Sequence, residues 1–500
     1  MGLYLIAALF SSLLGPFQTG YNQKIINVPH KNIKKFIKEA VATRHDIDLS
    51  PNAIITYHSY AMSIYVIGQV IGIIFASRIA DRFGRIRGQL YPQIFSLLGA
   101  ILMGLCREAS SFELLLIGRL FIGISTSILM INSRLYLVEI APIHIRGAIG
   151  ALGGFGCAFG NFTSTVLGLE NILGGDNTWP ILLGLASVPS ILQCITLPFI
   201  PETPRYLILS KVNLQEAEDA LKKLRNTDDV KQEITDIQNE EKNIYKLKKY
   251  SICQILGSSH LRLSVIFCVC LFLSQQLSGL GGVFSYTTAL FDNAGLDTNV
   301  SQYAVIGISV IALAMTLIVI PLMDRLGRRT LYLCGLGGIV ICNTMITVEL
   351  NFISEEYLGF FVVGTTYLFA VFFSIGLQSI PLLVTLEIFT QGPRSAASSV
   401  ATLVCVFTQF VVALIFPQLQ IHLQEFCFLP FLIISLVFFV FFWFYFPETK
   451  KRTSTDLALL FQAPNAWKTP IGLKKFEAET KKKQIGADHG EEKPLYIIKD

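Results

Sequence analysis

The sequence predicts an all-α membrane protein of twelve transmembrane helices, built as two six-helix halves. Three observations carry that expectation. Hydrophobic residues make up 52% of the 500 positions and charged residues only 15%, a balance far from that of soluble domains. Apolar runs of about 20 residues, the length a helix needs to cross the hydrocarbon core, recur between short charged or Gly/Pro-rich breaks. The breaks themselves repeat: Glu139 and Arg146 recur 248 positions later as Glu387 and Arg394, DRFGR at Asp81 recurs 243 later as DRLGR, and Pro201-Glu202-Thr203 recurs 246 later as Pro447-Glu448-Thr449. The runs are continuous rather than alternating, which excludes a closed β-barrel.

Taken in order, the first span is expected over about 3–23. It opens without the positive n-region of a signal peptide, so it reads as a span. It ends in Gln18, Thr19, Gly20, Tyr21 and Asn22, expected to face an interior path rather than lipid. A loop to about residue 50 carries KNIKKFIKEAV, an amphipathic helix expected on the membrane surface. The second span runs to about Ala80 and delivers DRFGRIRG into a tight loop. Spans three and four, about 90–106 and 113–137, flank Arg107 and Glu108, and the fourth carries Arg119 and Arg134. Span five is Gly-rich from Gly147 to Gly168, which lets its backbone approach a neighbour. Span six ends at PETPRYL. Residues of about 205–260 turn polar, with helical periodicity in NLQEAEDALKKLR, and read as a soluble linker. Six further spans follow at about 262–291, 302–323, 331–350, 358–386, 395–417 and 427–446. The Lys-rich tail from Lys450 reads as disordered after about Trp467. The expected divisions are therefore 1–200, 201–260, 261–449 and 450–500.

The net charge of +5 describes topology more than partners, because the cations sit at membrane edges rather than along a soluble basic stripe. Placing DRFGRIRG, Arg146, the linker, DRLGRR, Arg394 and the tail on one side leaves Arg107 as the one Lys/Arg of the later loops opposite. The positive-inside rule then puts both termini in the cytosol of an integral multi-pass protein, with the plasma membrane as the expected destination. The Lys-rich loop after span one is the exception. Ten cysteines show no CxxC and no Cys/His cluster, so neither a metal site nor a disulfide framework is expected. There is no P-loop and no nucleophile with a base, so no enzyme, cofactor or nucleic-acid partner is expected. The expected partners are a small solute and the lipid bilayer.

Two six-span halves in parallel repeat match the construction of the major facilitator fold, with its solute site between the halves. GRLFIGI, VEIAPIHIRGAIGAL, PETPRYL, QQLSGL, DRLGRRTL, LEIFTQGPRSAA and FPETK occur in order. Over about residues 1–455 the chain thereby resembles the facilitative glucose transporters of the sugar-porter family, as a divergent member.

Arg82, Arg85, Glu139, Arg146, Glu202, Arg205, Arg325, Arg328, Glu387, Arg394 and Glu448 fall at helix ends on the cytosolic side. Ion pairs between the halves could close that mouth, since a bias of a few kcal/mol shifts a two-state equilibrium; the plainer alternative is that these charges only set topology. The resemblance implies the former, and Arg119 is counted with this gating set.

For the solute path, Gln275 and Gln276 on span seven resemble the family's sugar-binding glutamines. An amide offers donor and acceptor together to a hydroxyl, although hydrogen bonding between helices is the structural alternative. Other family contacts are replaced: Gly154, Gly281, Ala312, Ser374, Leu382, Cys405 and Val406 stand where polar or aromatic groups are implied. Losing several hydrogen bonds, each worth about 0.5–1.5 kcal/mol, weakens a hexose by orders of magnitude unless others compensate. Asn161, Thr163, Ser285, Tyr286, Gln378 and Gln409 are the candidates. On span ten, Leu377 and Ser379 replace expected prolines, which predicts a stiffer helix. Asn299-Val300-Ser301 is the expected glycosylation sequon.

Proton-coupled relatives carry a carboxylate in span one where this chain has Asn22, and no other Asp or Glu sits at a span centre. The expectation is passive uniport of a sugar or similar polar solute by alternating access. The alternatives are a non-transporting sugar sensor, or a carrier of a polyol, urate or an ascorbate derivative.

Overall fold

The structure, a computed structural model, describes residues 3–46, 48–142, 146–209, 213–227, 229–235, 237, 252–258, 260–285, 291, 298–352, 355–389, 391–450, 452, 457 and 460–461. Within them the chain is helical throughout. The helices are α1 (Leu3–Lys24), α2 (His30–His45), α3 (Pro51–Phe83), α4 (Arg85–Leu90), α5 (Pro92–Leu105), α6 (Phe112–Ile140), α7 (Arg146–Leu167), α8 (Trp179–Gly184), α9 (Ser187–Thr196), α10 (Pro204–Leu209) and α11 (Leu214–Arg225). Then come α12 (Ile252–Gly257), α13 (Arg262–Gln276), α14 (Leu280–Ser285), α15 (Thr298–Leu326), α16 (Arg328–Phe352), α17 (Glu355–Gly376), α18 (Ile380–Ile388), α19 (Gln391–Leu423) and α20 (Leu429–Tyr445).

Nine segments among the described residues are long and apolar enough to cross a membrane. The three other expected spans are α1, α7 and α20. The last is short at 17 residues, while α1 and α7 carry the polar and glycine residues noted above. Those residues have a packing role. Gly20 and Gly160 let α1 and α7 meet backbone to backbone, since a Cβ on Gly20 would collide with the carbonyl of Cys157 and one on Gly160 with that of Phe17. Gln18, Thr19, Tyr21 and Asn22 are buried, which corrects their expected place on an open path. Gln18 Nε2 donates to Gln193 Oε1 at 3.1 Å and Tyr21 Oη to the carbonyl of Leu182 at 2.9 Å, so these groups tie α1 to its neighbours.

The helices before the linker pack on one another, α3 and α5 on α6 and α1 on α7; those after it form a second assembly around α13, α16, α17 and α19. Each has its own apolar core. The assemblies meet where α3 lies on α19 and α7 on α15. The amphipathic helix α2 does not present its apolar face to lipid. Ile33, Phe36, Ile37 and Ala40 are buried with Trp179 and Met62 at the end of the first assembly, and the ring of Phe36 packs tilted against Trp179 with centres 5.2 Å apart. Helix α3 then starts on a cap, Ser50 Oγ accepting from the N–H of Ala53 at 3.3 Å with Pro51 in the first turn, as helix N-termini favour.

Candidate functional site

The repeated charges form two clusters of the same design. Gly84 ends α3 with φ at +90°, a region that glycine enters without strain. The chain then turns directly into α4, and Glu202 caps it: Oε1 accepts from the N–H of Arg85 and Oε2 from that of Ile86, each at 3.0 Å. A carboxylate at exposed N–H groups of a helix start satisfies donors that have no partner within the helix. Arg85 grips Glu139 with two bonds, Nε to Oε2 at 3.0 Å and Nη2 to Oε1 at 2.8 Å, the fork geometry that makes such pairs strong. Thr203 Oγ1 donates to Glu139 Oε2 at 2.6 Å. Burial pushes the Glu202 carboxyl above the ordinary carboxylate range, against the opposing pull of the N–H groups of Thr203, Ile86 and Arg85 and of the Arg85 charge.

The second cluster repeats each part. Gly327 has φ at +88°, Glu448 accepts from the N–H of Arg328 at 2.9 Å and of Arg329 at 3.2 Å, and Arg328 Nε donates to Glu387 Oε1 at 3.1 Å. Thr449 Oγ1 donates to Glu387 Oε2. In both, Pro-Glu-Thr supplies a cap from its Glu and a brace from its Thr. The ion pairs described at this end therefore join helices within one assembly, rather than across the mouth as expected from the sequence. Around them, the carbonyl of Arg82 accepts from Tyr206 Oη at 3.2 Å, that of Arg325 from Lys450 Nζ at 2.8 Å, and Arg394 Nε donates to the carbonyl of Phe389 at 3.1 Å. Arg205 lies in the first turn of α10 and Arg146 begins α7; the Arg146 side chain is outside the described residues.

Arg119 does not belong to this gating set. It stands 20 residues before Glu139 on α6, about 30 Å away along the axis. Almost fully buried, it donates from Nη1 to the carbonyl of Asn22 at 2.7 Å and from Nε to that of Ala61 at 3.2 Å. Its guanidinium sits 4.3 Å from the ring centre of Tyr65.

The path residues gather where two spans break. Span seven is interrupted at 277–279 between α13 and α14, and span ten at 377–379 between α17 and α18. The second break corrects the expectation of a stiff helix: Leu377 and Ser379 do not restore continuity. The carbonyls that a break exposes are satisfied from neighbouring helices, as a buried main chain requires. Gln275 Nε2 donates to the carbonyl of Leu377 at 2.6 Å, and Asn343 Nδ2 to that of Ser278 at 3.0 Å. Gln276 Nε2 donates to Cys405 Sγ at 3.1 Å, and that thiol reaches Gln275 Oε1 at 3.6 Å. The two glutamines are thus buried and engaged by protein. Asn343 was missed in the sequence because it lies beyond the DRLGRRTL motif that opens its helix, where no motif marks it.

Gln378 is exposed at the span-ten break and Gln409 is half-buried on α19. Thr163 Oγ1 bonds the carbonyl of Phe159 in its own helix at 2.8 Å, while Asn161 Oδ1 is buried without a partner among the described residues. Ser374 Oγ is likewise buried and unpartnered there. Val412 packs against Gly281, Thr316 lies beside Gly154 and bonds the carbonyl of Ala312, Leu382 is half-buried, and Val406 joins the first assembly's core. Ser285 closes α14, but its side chain, Tyr286, and the side chain of Asn299 fall outside the described residues.

Residues 7–461 match the family described as Sugar (and other) transporter. The chain is 35% identical over 470 residues to the facilitated glucose transporter member 1 of solute carrier family 2 from Gallus gallus, covering 93% of this chain and 96% of that one. It is 36% identical over 460 residues to member 3 from Homo sapiens, covering 92% of each. This chain belongs to the sugar transporter family. Its fold is shared with the xylose transporter XylE from E. coli in an inward open conformation, at a TM-score of 0.75 and 20% identity, over 91% of this chain and 99% of that one. XylE is described as a major facilitator superfamily protein.

Within this sugar transporter, the two assemblies are bridged at the end remote from the charged clusters. Gln418 Nε2 donates to Thr56 Oγ1 at 3.3 Å, the hydroxyls of Thr165 and Ser309 lie 3.1 Å apart, and the N–H of Glu170 donates to Gln302 Oε1 at 3.0 Å.

Proposed function

We propose that the protein is a uniporter, moving a sugar or similar polar solute down its gradient by alternating access between two rigid halves. The carrying observation is the pairing of Arg119 with the main-chain oxygens of Asn22 and Ala61 and the ring of Tyr65. Proton relays within a membrane are built from titratable carboxylates or histidines, and no carboxylate is among the described partners of Arg119. Rocking is favoured by the arrangement of contacts among the described residues: uncharged hydrogen bonds join the halves at one end, and at the other the Arg85–Glu139 and Arg328–Glu387 pairs each stay within one half. Bonds of this kind are individually worth about 1 kcal/mol, small enough to exchange during a transport cycle.

In this reading residues 1–200 and 261–449 are the moving halves, 201–260 the cytosolic linker and 450–500 a cytosolic tail. The protein translocates its solute unchanged, in the plasma membrane. The lining groups are Gln378, Gln409, Asn161, Ser285 and Tyr286, with Gln275 braced on the span-ten break and Gln276 on Cys405. Uptake of labelled hexoses into proteoliposomes tests it. Uptake that persists with a protonophore and leaves external pH unchanged supports uniport, and uptake that collapses with the proton gradient removes it.

A further inference from the structure

Arg134 is a cation within the bundle that neither the charged clusters nor the helix breaks use. It lies on α6 between Arg119 and Glu139 and is half-buried. Among the described residues it has no hydrogen bond and no carboxylate within ion-pair distance. Its ionisable neighbour is Cys157 on α7, and a thiol offers no counter-charge at neutral pH.

Its direction can be read from what flanks it. Ser127, Ile131, Arg134 and Val138 follow at helical spacing on one stripe of α6. Ser127 sits against Gly72 of α3, while Arg134 and Val138 sit against Gly153 and Gly150 of α7 at 3.3 and 3.6 Å from the position of an added Cβ. The stripe therefore runs in the groove between α3 and α7. Among the described residues those two helices carry extensive contacts with the second half, so the stripe looks toward that half. Exposure along it rises from buried Ser127 to exposed Val138, which means the groove opens toward the charged clusters. A snorkelling arginine would run its head to the nearest acid at the membrane edge, but that acid, Glu139, is held by Arg85 and Thr203.

We propose that Arg134 is an anion-recognising residue of the solute path, and that the solute is a hydroxylated organic anion whose carboxylate or enolate the guanidinium takes in paired N–H···O bonds. An unpaired intramembrane charge is costly unless a substrate or water-filled path uses it. The exposed amide of Gln378 and the half-buried one of Gln409 suit the hydroxyls of such a solute. The inference rests on the transport reading above.

The test compares solutes that differ in charge on one carbon skeleton. Uptake of labelled gluconate, glucuronate and glucose is measured in proteoliposomes carrying wild type, Arg134→Gln or Arg134→Lys, and the same solutes are assayed for thermal stabilisation of each protein in detergent. The anions are expected to enter about tenfold faster than glucose; Arg134→Gln abolishes that preference, and Arg134→Lys, which keeps charge without the fork, retains part of it. If nothing crosses but the anions stabilise wild type and not Arg134→Gln, the anion site stands and the transport reading falls. Should Arg134→Gln fail to fold, loss of the anion-induced shift at high salt in wild type reads the same contact. Glucose entering as fast as the anions, no anion-specific stabilisation, or an Arg134→Gln protein with unchanged preference would overturn the proposal.

Discussion

The side-chain amide of Gln275 donates to the main-chain carbonyl of Leu377, 102 positions away, at 2.6 Å. It links the break in span seven to the break in span ten, so the two interruptions bear on each other. Replacing Gln275 with Ala strips a buried carbonyl of its donor at a cost of about 1–2 kcal/mol. We expect a lower unfolding temperature and at least severalfold slower uptake, measured by thermal unfolding and tracer flux. Gln275→Glu, which cannot donate when ionised, should be no better than Ala; full activity in it would exclude the hydrogen bond as the reason for the residue.

The two charged clusters should respond alike. Glu139→Gln and Glu387→Gln each leave a guanidinium without its carboxylate in a partly buried place, a loss of about 1–3 kcal/mol. Comparable destabilisation by the two substitutions is expected in chemical unfolding. If one were silent, the equivalence of the halves would not extend to energetics.

Gly84 and Gly327 are a sharper probe of the same clusters. An alanine at either must adopt a positive φ, costing about 1–2 kcal/mol, and its Cβ would collide with the carboxylate of Glu202 or Glu448. Gly84→Ala is expected to lower expression and melting temperature more than Gly150→Ala, since a Cβ at Gly150 meets Val138 only at 3.6 Å.

Asn22 offers a gain-of-function test. Asn22→Asp places a titratable carboxyl on the residue whose carbonyl Arg119 holds at 2.7 Å. The wild-type contact holds no carboxylate, so wild type is the reference for the Asp variant between about pH 6 and 8. Uptake by the Asp variant should acquire pH dependence, and a flat profile in it would show that this position does not sense protons.

Much of the fold was legible because it is written in composition and repetition. The DRFGR and DRLGR loops, the two Glu/Arg pairs and the two Pro-Glu-Thr segments marked corresponding helix ends, and the glycines of span five marked a close helix crossing. What escaped depended on partners remote in sequence. The basic stripe of KNIKKFIKEAV reads the same whether its apolar face meets lipid or Trp179. Arg119 has a charge but no sequence mark of depth, and only the carbonyls of Asn22 and Ala61 explain its burial. Span ten breaks without its extra prolines because Gln275 supplies the missing donor from another helix, a compensation that local sequence cannot encode. The sugar-contact positions were the least legible, since Cys405 satisfies Gln276 where a solute contact was implied.

The self-contained charge clusters also bear on how the chain is made. Every partner in the first cluster, from Gly84 to Thr203, is present once the initial 203 residues have been synthesised. The leading half can thus neutralise its buried charges while the trailing half is still being translated, and does not have to wait in the bilayer with an exposed guanidinium for a mate that arrives later.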